Sequence, residues 1–401
     1  MDRLDLLRRL SQTNNEKIVY LIFDGVGDLS QGKGTPLEVA QCPNLDAIVA
    51  RSICGLANPI APGITPGSGP AHLSLFGYDP LKFDIGRGIL SALGVDFDIK
   101  GGDVAARINF ATLDANGVIA DRRAGRIPTE TCIKLCQKLG QIQLPGVQVF
   151  IQPEKEHRAA FILRGEGLLG RLSDTDPQAV GKKPLPVEPT ENTPAAKHTA
   201  ELVNRFIKQA FEILKSESPA NGLLLRGFDG YEQLPQMQEI YKLNPAAIAT
   251  YPMYRGVARL VGMKVLPTGD MPADEFRTLK EQWANYDYFF VHIKKTDSYG
   301  EDGNFDAKVH VIEEVDALLP QLIELNPSVL LVTGDHSTPC CWKAHSFHPV
   351  PVMLCSKQAR LDSAREFTEK ACASGGLGTM PMVDLMSLCL AHAQKLAKYG
   401  A

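Results

Sequence analysis

The chain has 401 residues, 44% hydrophobic and 22% charged, an ordinary globular balance long enough for two or more domains. A formal charge of −4 gives no electrostatic case for a nucleic-acid partner, and apolar runs such as 18–23 and 329–332 are far too short to span a bilayer. Nine cysteines without CxxC spacing, and a first ten residues mixing acids with bases, point to a cytoplasmic chain with reduced thiols and no membrane partner.

In chain order, the first sixteen residues read as a helical arm. Residues 18–23 form a β-branched and aromatic run closed by Asp24-Gly25, the pattern of a buried parallel strand with an acid at its carboxyl end. The stretch GITPGSGPAHLSLFGYDP (63–80) sets Ser68 between two glycines. Gly67 and Gly69 permit a sharp turn with positive φ, leaving Ser68 exposed ahead of a helix from Ala71 to Phe76. An ordinary surface turn has the same composition. From about 95 to 180 the chain changes to short alternating strands, followed by the proline-rich 182–194 and a helix from His198 to Leu214. Residues 246–262 read as a helix with its approach loop. Strands then end near Asp297 and at Asp335-His336, and the three-and-four spacing of apolar residues from Phe305 to Leu322 makes a crossover helix between them. The expected fold is α/β: a doubly wound core from 1–95 and 235–401, with a smaller α+β cap inserted at 96–234. The proline-rich stretch and the glycines near 222–230 are candidate hinges.

Ligands of open parallel sheets gather at the carboxyl ends of the strands. Three strand ends here carry Asp24, Asp297 and Asp335-His336, with Glu301 four residues past Asp297 and His345 nine past His336. Single acids at such positions are commonly turn formers; several at one sheet edge, with one hydroxyl from Ser68, suit Mn²⁺, Zn²⁺ or Mg²⁺. A metal pair would activate a serine and hold a tetrahedral phosphorus, and would need arginines for charge balance. Arg107, the run DRRAGR with Arg122, Arg123 and Arg126, and Arg158 beside His157 supply them, although DRRAGR also reads as a solvated turn.

These residues occur in FDGVGD, TPLEVAQCPNLDAI, DIGRG, RINFAT, HRAAFILRG, SDTDP, LLLRG, KKTDSYGEDGNFDAK, TGDHSTP and HSFHPVP. In that order the motifs resemble the cofactor-independent phosphoglycerate mutases of the archaeal type, within the alkaline phosphatase superfamily, over nearly everything after residue 16. The resemblance implies an alkaline-phosphatase-like core and interconversion of 3-phosphoglycerate and 2-phosphoglycerate, in glycolysis or gluconeogenesis, through a phosphoserine on Ser68. It implies one cation held by Asp24, Ser68, Asp335 and His336 and another by Asp297, position 301 and His345. His157, Arg158, Asp176, Arg107, Arg122, Arg123 and Arg126 match positions that line the substrate cleft, and closure of the cap would exclude water. Where relatives commonly have a histidine in GHDG, this chain has Glu301 in GEDG, which favours Mn²⁺ or Mg²⁺ over Zn²⁺ or Co²⁺. Gly69-Pro70 stands where many relatives carry an acid after the nucleophile. The rival readings are a phosphatase or another phosphotransferase of the same superfamily, and a catalytically inactive binding homologue.

Overall fold

The computed structural model describes residues 2–83, 85–231 and 234–400; Asp84 of the DIGRG motif lies outside them. Its strands in chain order are β1 (Ile18–Phe23), β2 (Ser52–Asn58), β3 (Val104–Leu113), β4 (Ile119–Asp121), β5 (Val147–Pro153), β6 (Arg158–Gly165), β7 (Gly222–Gly230), β8 (Pro245–Ile248), β9 (Lys264–Val265), β10 (Tyr288–Ile293), β11 (Val329–Thr333), β12 (Val350–Ser356) and β13 (Gly378–Pro381). The chain divides into two compact units, residues 1–84 with 235–401 and residues 85–234.

The first unit holds an eight-stranded sheet in the order β13-β2-β12-β11-β1-β10-β8-β9. β11, β1, β10 and β8 run parallel, whereas β12 is antiparallel to both its neighbours. All six residues of β1 are buried, because helices cover both faces of the sheet. Val19, Leu21 and Phe23 share a core with Leu45 and Ile48, Phe276 and Leu279, and Val311, Val315 and Leu319 from three helices. On the opposite face Tyr20 reaches Met386 of the helix Leu385–His392, and Phe290 meets Phe76 edge-on behind the helix Ser68–Leu75. Alternation along each central strand therefore feeds two apolar layers.

The register sets the sheet's carboxyl edge level. Phe23 pairs with Ile293 and Ile22 with Thr333, so the segments after β1, β10 and β11 emerge side by side. Of residues 246–262, expected as a helix with its approach loop, the helix is present but the approach is a strand. Residues Pro245–Ile248 are a buried strand beside β10, and the helix begins at Pro252, whose fixed φ suits a first turn.

The second unit is an antiparallel sheet in which β3 pairs with β4, β6 and β7, and β6 with β5. Val104, Ala106, Ile108 and Phe110 of β3 share a core with Leu135 of the helix Thr129–Leu139 and Phe206 of the helix Pro194–Leu214. The intervening Arg107 and Asn109 point the other way by the period of two. The helix Arg87–Gly94, expected in the core, belongs to this unit. It lies so close to β3 that a Cβ at Gly88 would collide with the backbone of Ala105 and Ala106. Neither hinge candidate falls at a junction between the units: 222–230 is a paired strand, and the proline-rich stretch is held by Leu185 N–H donating to Thr175 and Val187 to Asn204.

Candidate metal centre and arginine cluster

Asp24 follows β1 and is fully buried. Its Oδ2 accepts from the Tyr254 hydroxyl at 2.6 Å and lies 3.0 Å from Lys294 Nζ, while Oδ1 has no hydrogen-bond partner. Asp335, two residues past β11, shows the same division: Oδ1 accepts from Gly25 N–H at 3.0 Å, and Oδ2 is left over. His336 Nε2 stands 3.3 Å from Asp24 Oδ1, 3.2 Å from Asp335 Oδ2 and 3.3 Å from Ser68 Oγ. Two orphaned buried carboxylate oxygens converging with an imidazole nitrogen and a hydroxyl form a donor set that a divalent cation would satisfy.

A second group combines Asp297, His336 and His345, so His336 reaches both groups rather than one. Asp297, expected at a strand end, sits in the first turn of the helix Lys295–Asp302, after β10. His345 Nε2 lies 3.7 Å from Asp297 Oδ1, and its Nδ1–H donates to the Pro66 carbonyl, 2.9 Å away. The two imidazoles stack with centroids 3.6 Å apart. Glu301, one helical turn beyond Asp297, is exposed and joins neither group. Desolvation and then the Asp297 charge raise its pKa.

Electrostatics favour a cation at the first group. Burial would raise the Asp24 carboxyl, but Lys294, then His292 and His336, and the Tyr254 hydroxyl overcome this and hold it well below the usual range. Asp335 is pushed up by burial and by the Asp24 charge it faces. Two carboxylates this close resist joint ionisation, and a divalent cation would relieve both. Lys294, with burial opposing, is kept protonated by Asp24 and by Asp297, whose Oδ2 it meets at 2.6 Å.

Ser68 is the half-buried first residue of the helix Ser68–Leu75. The positive φ expected at its glycine neighbours does not occur: Gly67 has φ −84°, and Gly69 is not among the left-handed glycines. The helix starts at the serine itself, so an extended N-cap suffices.

In the second unit, Arg107 on β3 lies opposite Arg226 on β7, and Asn109 opposite Arg158 on β6. Arg107 Nε, Arg226 Nε, Asn109 Oδ1 and His157 Nδ1 are buried without hydrogen-bond partners. Burial, then the charges of Arg87, Arg158 and Arg226, lower the Arg107 guanidinium to about 10, with Glu154 opposing. Carboxylates offset part of this charge, Arg226 Nε lying 3.5 Å from Asp176 Oδ2 and 4.0 Å from Asp174 Oδ2. Asp176 accepts both nitrogens of a bidentate bond from Arg122, at 3.0 and 2.7 Å, so it orients that guanidinium. Arg123 and Arg126 are exposed on a turn where Ala124, Gly125 and Arg126 all have positive φ, anchored by Asp121 accepting from the N–H groups of Arg123 and Gly125.

Sequence reasoning missed Tyr254, Lys294, His292, Thr338 and Arg226. Lys294 and Thr338 stand inside quoted motifs, and Arg226 is the arginine of LLLRG. Tyr254 and His292 carried no signal, since only the packing of β10 against the helix Pro252–Leu260 brings their rings to 4.1 Å.

A buried oxygen-and-nitrogen donor set beside a serine, at the carboxyl edge of a parallel sheet, is what an α/β enzyme of the metal-assisted group-transfer class would use. Residues 50–221 match the family model described as 2,3-bisphosphoglycerate-independent phosphoglycerate mutase. The chain is 51% identical over the whole of both sequences to a protein of Thermosipho melanesiensis named as a probable mutase of that kind, and 50% identical to a Thermus thermophilus protein of the same name. Among solved structures it resembles a Pyrococcus horikoshii protein (TM-score 0.83, 29% identity, 97% of this chain and 100% of that one). It also resembles the cofactor-independent phosphoglycerate mutase of Thermoplasma acidophilum (TM-score 0.73, 30% identity, 94% and 100%). The chain belongs to the family of 2,3-bisphosphoglycerate-independent phosphoglycerate mutases. Among the described residues no helix is long and apolar enough to cross a membrane.

Proposed function

We propose that this chain interconverts 3-phosphoglycerate and 2-phosphoglycerate without 2,3-bisphosphoglycerate. The phosphoryl group passes to Ser68 and returns to the other hydroxyl of the same glycerate. The observation that carries the reading is the approach of Ser68 Oγ to His336 Nε2 beside the unpartnered oxygens of Asp24 and Asp335, in a chain about half identical along its length to proteins named as such mutases.

Asp24, Ser68, Asp335 and His336 would hold one divalent cation, and Asp297 and His345 a second, with His336 within reach of both; Glu301 would join the second only by turning in from its exposed position. Three or four carboxylates against two imidazoles make Mn²⁺ or Mg²⁺ the preferred ions, ahead of Zn²⁺ or Co²⁺. Bound there, such ions supply Lewis-acid stabilisation of phosphoryl oxygens and ease deprotonation of a hydroxyl. The protein's own groups do the rest. Ser68 opens a helix whose free N–H groups and positive end favour an anionic phosphoserine. Lys294 keeps a fixed positive charge between Asp24 and Asp297. A mutase must also retain the glycerate while the serine is loaded. Arg107, Arg122, Arg158 and Arg226, with His157, are the groups we assign to its carboxylate and phosphoryl oxygens; Asp176 orients Arg122, and Arg123 and Arg126 extend the positive surface.

A coupled assay tests the reading. With 3-phosphoglycerate, Mn²⁺ and enolase, product without free phosphate is expected. Release of free phosphate would indicate a phosphatase, and silence an inactive binding homologue.

A further inference from the structure

Thr338 is fully buried in the loop after β11. Its Oγ1 lies 2.7 Å from Asp297 Oδ1 and 3.0 Å from His336 Nδ1. An aspartate carboxylate offers only acceptors, so the hydroxyl's single proton goes to Asp297. What remains for His336 is an oxygen lone pair, and that contact forms only when Nδ1 carries the imidazole hydrogen.

We propose that Thr338 is a positioning residue that fixes His336 as the Nδ1–H tautomer, presents a bare Nε2 to Asp24, Asp335 and Ser68, and couples the two ligand groups through one hydroxyl. This rests on the metal reading above, but not on the reaction. The other imidazole is oriented alike by a different partner, the Pro66 carbonyl at His345 Nδ1, so both rings turn Nε2 toward carboxylates. The neutral nitrogen lone pair is the form that binds metal, and such outer partners set its orientation.

Thr338 has little freedom to turn away. Its N–H donates to the carbonyls of Gly27 and Gly25, and its own carbonyl accepts from Lys308 Nζ at 3.0 Å. Lys308, buried, also donates to Gly25 O and Asp28 Oδ2, tying the loops after β1 and β11 together. Gly25 has φ +60°, and a Cβ there would collide with Thr338 Oγ1 and Asp297 Oδ1. A Cβ at Gly300 would strike the Thr338 carbonyl. Gly25 thus leaves room for this hydroxyl, and Gly300 for the Thr338 carbonyl and methyl group.

Calorimetric titration of metal-free protein with Mn²⁺ tests the proposal. Thr338→Val should weaken binding by about 10- to 100-fold while the metal-free protein stays folded, its melting temperature lowered by loss of the bond to Asp297, and Thr338→Ser should restore near-wild-type affinity. Unchanged affinity in Thr338→Val, or equal loss in both variants, would overturn it. Long-range ¹H–¹⁵N correlation of the metal-free wild type gives a readout independent of any substitution. His336 is expected protonated on Nδ1, and protonation on Nε2 alone would overturn the inference. Failure of the wild type to bind Mn²⁺ would instead overturn the metal reading, leaving the tautomer measurement to decide the role of Thr338.

Discussion

Tyr254 donates its hydroxyl to Asp24 Oδ2 at 2.6 Å, and that bond decides which oxygen of the buried carboxylate is left over. With Lys294 on the same atom, Oδ2 is occupied and Oδ1 alone faces His336. Tyr254→Phe removes a donor to a charged acceptor. It should cost about 1.5 kcal/mol of metal-free stability in urea unfolding. A loss below about 0.5 kcal/mol, the scale of an exposed substitution, would mean the bond does not hold Asp24.

Arg122 and Asp176 act as a unit. Arg122→Lys loses the planar fork that meets both Asp176 oxygens and should raise KM for phosphoglycerate about tenfold, with a smaller effect on kcat. Asp176→Asn should move KM in the same direction by loosening the guanidinium. A fall in kcat at constant KM would place the pair outside substrate binding.

His157 is buried, and burial, then Arg158, lower its pKa to about 4. The unfolded chain, titrating near 6.5, binds the proton first as pH falls. The His157 contribution to stability should therefore be lost from pH 6.5 toward 4 and stay constant below, where both states are protonated. In His157→Gln this contribution is absent, so melting temperature should fall less steeply across that window than in wild type. Parallel curves would show that the imidazole is not held neutral.

Glu301 lies one helical turn beyond Asp297 on the helix Lys295–Asp302. If it swings in as a ligand of the second cation, Glu301→Ala should weaken one of two Mn²⁺ binding steps by roughly tenfold. Glu301→His should shift preference toward Zn²⁺. Unchanged titrations for both variants would remove Glu301 from the ligand set.

Strands β1, β10 and β11, with Asp24 after the first, were legible because a buried central strand has few ways to be written: 18–23 is uninterrupted and apolar, and Asp24 is the first charged residue after it. Ser68, Asp335, His336 and His345 were legible through spacing and motif. What lay hidden depends on partners far apart in the chain. Tyr254 meets Asp24 across 230 positions, and neither residue's neighbours announce the other. The limits of the second unit were hidden for a similar reason. The helix Arg87–Gly94 has an unremarkable apolar stripe, and only the backbone approach at Gly88 assigns it to β3. Gly67 and Gly69 misled in the opposite sense, since glycine permits a left-handed turn without requiring one.

The most direct test is the fate of the Ser68 hydroxyl. Wild-type enzyme mixed with Mn²⁺ and 3-phosphoglycerate, quenched in acid within one turnover and digested, should yield the peptide containing Ser68 carrying one phosphoryl group. Ser68→Ala should give neither that peptide nor mutase turnover. Normal turnover by Ser68→Ala, or a phosphoryl group trapped on a different residue, would contradict the account.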